Sequence, residues 1–379
     1  MKGPWMRFCP AILIAAWAAV AMGGESPTPI TSTETWSKIA FAFQPPVGTD
    51  ATPAASLRSP LIFNDGRPVK TPAEWRERRE EILKYWHAAL GAWPPLIEKP
   101  EVEVIETARR ENFLQKKVRV QAATDLRLDG YLLVPDGAGR RPAVLVVYYD
   151  PETGVGLNDK HPLRDFALQL ARRGFVTLSI GWPKAYTTAH SQEVQPLSNL
   201  AYVAANCYNA MAAMPEVDPA RVGVVGHSFG GKWAMFASCL YEKFACAAWS
   251  DGGVVFDEKR GNVNYWEPWY LGWEAGRTRK PGIPSESNPR TGPYKRLREE
   301  GRDLHELHAL MAPRPFLVSG GAEDRPERWA ALGHAVAVNR LLGHENRVAM
   351  TNRPAHAPTE ESNEQMVLFF VHVLKPGGM

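Results

Sequence analysis

Residues 221–238 read RVGVVGHSFGGKWAMFAS: an apolar run, then Gly226-His227-Ser228-Phe229-Gly230, then a small-residue helical pattern. Gly-x-Ser-x-Gly between a buried strand and a helix marks a sharp corner that lifts a serine hydroxyl above the carboxyl edge of a sheet; side chains at the glycines would collide in the turn. The same residues also suit a plain tight connection, so the surroundings decide. A serine hydroxyl is a weak nucleophile, and it needs a base, a carboxylate to orient that base, and donors for the oxyanion.

Outward from this corner the chain alternates strands and helices. The runs AVLVVYY (143–149), FVTLSI (175–180), FACAAWS (244–250), RPFLVSGG (314–321) and NRVAMTN (346–352) read as buried strands. Between them lie helical patterns over 162–174, 193–214, 230–241, 327–342 and 359–374. That rhythm predicts an α/β class with a doubly wound, mostly parallel sheet covered on both faces. Upstream, Val102–Thr107, Lys116–Ala122 and Leu126–Val134 alternate or carry β-branched residues, predicting an antiparallel group at one sheet edge. The stretch TPAEWRERREEILKYWHAALG (71–91) predicts a helix capped by Thr71, opened by Pro72 and ended by Gly91. Residues 254–302 break the rhythm with Trp, Tyr, Gly, Pro and Arg, as expected of a long aromatic-rich insertion forming a lid or binding loop. The domain plan is a signal peptide at 1–24, a loose leader and helix over 25–100, and an α/β domain over 101–379.

The chain has 379 residues, 45% hydrophobic and 22% charged, with a formal charge of +3. This is the composition of a globular protein; it lacks the basic stripe of a nucleic-acid binder. Lys2 and Arg7 precede the apolar run Ala11–Ala21, with small residues to Gly24, the pattern of a cleaved export signal. A secreted or periplasmic protein is expected, with a membrane partner only if that segment stays uncleaved. Beyond it remain Cys207, Cys239 and Cys246, an odd number whose default is small buried side chains.

His356, after the last strand and before the final helix, is placed as the base; His227, His334, His344 and His372 fit that role less well. Two acids compete. Asp324 follows the strand 314–321, where a triad acid commonly sits, and Asp251 follows the strand after the nucleophile helix; Glu323 is a third candidate. The backbone N–H of Phe229 is one expected oxyanion donor, with a second from the loop DPETGVGLND (150–159), where Gly154 and Gly156 allow close backbone approach. His305 and His308 stand three apart on a helix without the rest of a zinc motif, so neither a metal nor a cofactor is expected.

The segments MPEVDPARVGVVGHSFGGKWAMFASCLYEKFACAAWSDGG (214–253), ALMAPRPFLVSGGAEDRPERW (309–329) and RPAHAPTEESNEQMVLFF (353–370) resemble the α/β-hydrolase core of glucuronoyl esterases, carbohydrate esterase family fifteen. The resemblance implies cleavage of esters between xylan-borne glucuronic acid and lignin alcohols. It also implies an acid twenty-three residues after the serine, the position of Asp251, and a Gly-Lys pair after the turn, here Gly231-Lys232. The chain departs in having Phe229 where the family has arginine and Asp251 where it has glutamate. Acetyl-xylan esterases and dienelactone-hydrolase-like enzymes share the core with a plainer turn, so acetyl or small-acyl esters are the alternative substrates. A non-catalytic carbohydrate-binding homologue is the alternative from another class. Lys232, one helical turn past Ser228, is expected to meet a sugar hydroxyl or carboxylate. Trp269, Trp329 and Glu267 are further candidates for the substrate surface, as are Trp266, Tyr270 and Trp273 in NYWEPWYLGW (264–273).

Overall fold

In the computed structural model, residues 32–49, 52–184, 186 and 194–376 are described. The expected export segment 1–24 lies outside them. Among the described residues nine strands form one sheet in the order β1-β2-β3-β5-β4-β6-β7-β8-β9. The first three, β1 (Val102–Arg110), β2 (Phe113–Ala123) and β3 (Leu126–Pro135), are the antiparallel edge group. Beyond them β5 (Val176–Ile180), β4 (Arg141–Val147), β6 (Val217–His227), β7 (Cys246–Ser250), β8 (Phe316–Gly320) and β9 (Val348–Asn352) run parallel. The parallel strands are apolar on both sides because helices cover both faces, and β4, β5, β7 and β8 are buried almost throughout.

The chain leaves β4 toward β5 on one side and later returns through β6 on the other. Reversal of strand order opens a crevice at the carboxyl ends of β4 and β6, where open α/β sheets bind ligands. The serine corner stands at that crevice. The helix Phe229–Leu240 behind it is buried along its whole length.

Two regions differ from expectation. The stretch read as a loose leader contains the helix Ser32–Ile39 and the turn Ala40–Phe43. Its apolar residues Ile39, Ala42 and Phe43 are buried in a core shared with the last helix, Glu360–Leu374. Trp36 packs at a tilt against His372, ring centres 5.0 Å apart. The insertion is mostly packed rather than a free lid: Phe256, Tyr265, Trp266 and Tyr294 are buried, and Gly292–Glu299 is helical. The helix Pro72–Leu90 has the caps its sequence specifies, with Thr71 Oγ1 accepting from Glu74 N at 3.2 Å and Gly91 at φ 94°. Cys207, Cys239 and Cys246 are free and buried. Among the described residues no helix is long and apolar enough to cross a membrane, and no cluster of His, Cys, Asp and Glu is arranged to hold a metal ion.

Candidate active site

Ser228 joins β6 to its helix with φ 57° and ψ −111°, a conformation that costs a non-glycine residue about 1–3 kcal/mol. The flanking glycines make that corner sterically feasible. A Cβ on Gly226 would lie 2.2 Å from Gly230 O, and one on Gly230 would lie 2.1 Å from Val147 O. The turn is held from outside by Ser228 N donating to Ser250 O at 2.7 Å.

His356 comes from the loop after β9, and its Nε2 lies 2.8 Å from Ser228 Oγ. Its Nδ1 lies 2.6 Å from Asp251 Oδ2, at the end of β7. A carboxylate only accepts, so Nδ1 carries the proton and Nε2 presents its lone pair to the serine hydroxyl. Asp251 is 1% exposed, and its Oδ1 accepts from Gly321 N at 2.8 Å, Glu323 N at 3.0 Å and Asp324 N at 2.8 Å. Those three N–H groups stabilise a buried negative charge without a cation in contact. The His356 side chain is 30% exposed and Ser228 is half-buried, so the pair reaches solvent.

Asp324 and Glu323 are turned elsewhere. The Asp324 carboxylate accepts from Gly253 N at 2.8 Å and Val254 N at 2.7 Å, tying the start of the insertion to the β8 loop. Burial, and then the nearby Asp251 charge, push its pKa up. Glu323 Oε1 accepts from Asn262 Nδ2 at 3.1 Å. His227 lies beneath His356, ring centres 4.7 Å apart, with Nδ1 3.0 Å from Ser250 Oγ. Burial first, and then the charges of His356 and Arg353, hold its pKa well below the usual histidine value, so it stays neutral.

The residues proposed for the substrate surface divide. Lys232 is 2% exposed and donates to Gly252 O at 2.6 Å and Asn262 O at 3.1 Å; its helix is buried on all sides, so the ammonium serves the insertion rather than an open cleft. Burial lowers its pKa to about 8. Glu267 is also buried, accepting from Arg279 Nη1 at 3.1 Å, Trp266 Nε1 at 3.0 Å and Gly282 N at 2.7 Å. Trp329 is buried beside a crevice that Phe43 and His344 also line. Trp269, by contrast, is 39% exposed and neighbours Tyr270 at 6.3 Å. The Phe229 side chain is buried among aromatic rings, stacked on Tyr149 at 4.7 Å and tilted against Trp182 at 5.3 Å. Gly154 faces Ser179 and Val146 on the sheet, and Gly156 faces Leu168 on the helix Phe166–Arg172, in and after the helical turn Pro151–Gly154, instead of the serine.

Sequence reading missed Arg353 and Ser250. Arg353 lies three residues before His356 and donates to His356 O at 2.8 Å, and Ser250 Oγ takes both Arg353 and His227. An arginine so close to the base was the one available signal.

A family model described as Esterase FrsA-like matches residues 102–258. The chain is 25% identical over 256 residues to a 4-O-methyl-glucuronoyl methylesterase of Schizophyllum commune, covering 65% of this chain and 58% of that protein's length. A glucuronoyl esterase from Solibacter usitatus superposes with a TM-score of 0.68 at 19% identity, over 85% of this chain and 98% of that one. This chain has the α/β-hydrolase fold and resembles the glucuronoyl esterases. A putative acetyl xylan esterase from Bacteroides fragilis shares the fold more distantly, with a TM-score of 0.55 at 15% identity, over 84% of this chain and 86% of that one.

Proposed function

We propose that the chain is a carboxylic ester hydrolase that acts on plant cell-wall carbohydrate esters of the glucuronoyl type, through an acyl-enzyme on Ser228. The observation that carries this reading is the continuous Ser228–His356–Asp251 hydrogen-bonded chain at a strained strand-to-helix corner. Ser228 Oγ attacks the ester carbonyl while His356 Nε2 takes its proton. Asp251 stabilises the imidazolium, and three backbone donors hold its carboxylate in place. The imidazolium then protonates the departing alcohol, and water repeats the sequence in reverse. The oxyanion meets the N–H of Phe229, the first of the helix and therefore without an intrahelical acceptor. A second backbone donor is expected from the loop that follows β4, next to the Tyr149 ring stacked on Phe229. A buried aromatic ring at Phe229 leaves this site without a cation at that position, so backbone donors carry the developing charge.

The glucuronoyl substrate is supported by the relatives' names and by the aromatic rim of Tyr149 and Trp269, 47% and 39% exposed. The pattern of residues 1–24 supports export. The test is hydrolysis of a benzyl glucuronate ester beside acetylated xylan, with Ser228→Ala as control. Serine-dependent release of benzyl alcohol is expected. Serine-dependent release of acetate alone would replace the substrate with the acetyl ester, and turnover of neither would remove the esterase reading.

A further inference from the structure

We infer that Arg353 is the positioning residue that holds the base loop at the correct height over Ser228, an inference that rests on the catalytic reading of His356. The guanidinium is buried and engages four backbone carbonyls and two hydroxyls at once. Nε donates to Ala357 O at 2.8 Å. Nη1 faces Ser319 O at 2.9 Å, Ser319 Oγ at 3.1 Å and Gly320 O at 3.3 Å. Nη2 donates to His356 O at 2.8 Å and Ser250 Oγ at 3.2 Å. One rigid plane thus fastens the base's own peptide, and the residue after it, to the ends of β7 and β8. Those strand ends carry Asp251 and the N–H groups that bind it.

The arrangement answers a mechanical problem. His356 sits in a loop, and two bonds to its ring, 2.6 Å and 2.8 Å, must hold simultaneously. Backbone drift of that loop would break one of them. Arg353 ties the loop backbone to the same strand ends that fix Asp251, so base and acid move as one body. Ser250 Oγ extends the tie to His227, whose neutral ring supports the underside of His356. A lysine cannot substitute, because a single ammonium lacks the planar fork that reaches in three directions.

The experiment compares Arg353→Lys and Arg353→Met with wild type by kcat and KM on whichever ester wild type hydrolyses. It adds the far-downfield proton resonance of His356 Nδ1–H and far-UV circular dichroism. Both variants should lose about 10²-fold in kcat, the scale of a reacting group displaced by an ångström, with KM unchanged. The downfield resonance should broaden or vanish in both. An Arg353→Lys protein with wild-type kcat and an unchanged resonance would overturn the proposal. If neither variant folds, Ser250→Ala removes a single acceptor of the fork and must still lower kcat and broaden the resonance; wild-type values there overturn it equally. If wild type hydrolyses no ester, the functional reading falls, and the resonance in the Arg353 variants alone decides the positioning role.

Discussion

Replacing Asp251 by asparagine separates the two acids that follow neighbouring strands. In the wild type one carboxylate oxygen takes three backbone N–H groups and the other takes His356. Asparagine has one acceptor oxygen, and three fixed donors claim it. Its NH₂ group then faces His356 Nδ1, which must give up its proton to accept. The proton moves to Nε2, and the base can no longer take the hydrogen of Ser228. The expected loss in kcat is about 10³–10⁴-fold with little change in KM, equivalent to roughly 4–5.5 kcal/mol of transition-state stabilisation. Asp324→Asn makes a different error. Its two oxygens each hold one N–H, so the amide satisfies one and opposes the other, costing about 1–3 kcal/mol of stability. Its kcat should stay near wild type. Steady-state kinetics on a nitrophenyl ester, with urea unfolding of each variant, reads both effects. Equal losses of kcat in the two variants, or a larger loss in Asp324→Asn, would refute the assignment.

Gly230→Ala should abolish the folded corner or cost several kcal/mol by urea unfolding, because its Cβ would overlap a backbone oxygen at 2.1 Å. His305 and His334, ring centres 4.9 Å apart, have pKa values pushed down to about 4 by burial. The unfolded chain takes up protons near pH 6.5 that the fold refuses, so their contribution is complete above that pH and is lost as pH falls toward 4. Tm should decline over that window, and His305→Gln, which keeps a donor for Arg58 O, should flatten the decline; a slope as steep as wild type would count against burial as its cause. Trp269→Ala should raise KM for the aromatic glucuronate ester while Tm barely moves, since the ring is part-exposed. An unchanged KM would remove Trp269 from the substrate surface.

The site was legible where its signals are local. A strand, a Gly-x-Ser-x-Gly turn and a helix occupy consecutive residues, and His356 falls in the short loop between β9 and the last helix. The alternation of buried runs and helical patterns likewise marked the parallel part of the sheet, and β-branched alternation marked its antiparallel edge. The resemblance pointed to Asp251, but position along the chain alone did not separate it from Asp324, because β7 and β8 are neighbours and both deliver an aspartate to the same edge. What distinguishes them is tertiary: the backbone of residues 321–324 wraps one carboxylate, while the insertion claims the other. Lys232 misled for a related reason. Its position one turn past the serine suggested a cleft, yet the surrounding FGGKWAMFASCL contains no other charge, and that was the sign of a fully covered helix. Arg353 was missed because its acceptors, the carbonyls of 356–357 and 319–320 and the hydroxyl of Ser250, come together only in the fold.

In the proposed mechanism Ser228 is a nucleophile activated by His356. The most direct measurement is intact mass and peptide mapping after treatment with a fluorophosphonate, for wild type, Ser228→Ala and His356→Ala. A single adduct is expected on the peptide carrying Ser228, none in Ser228→Ala, and labelling slowed by orders of magnitude in His356→Ala. Labelling of another residue, or equal rates with and without His356, would contradict it.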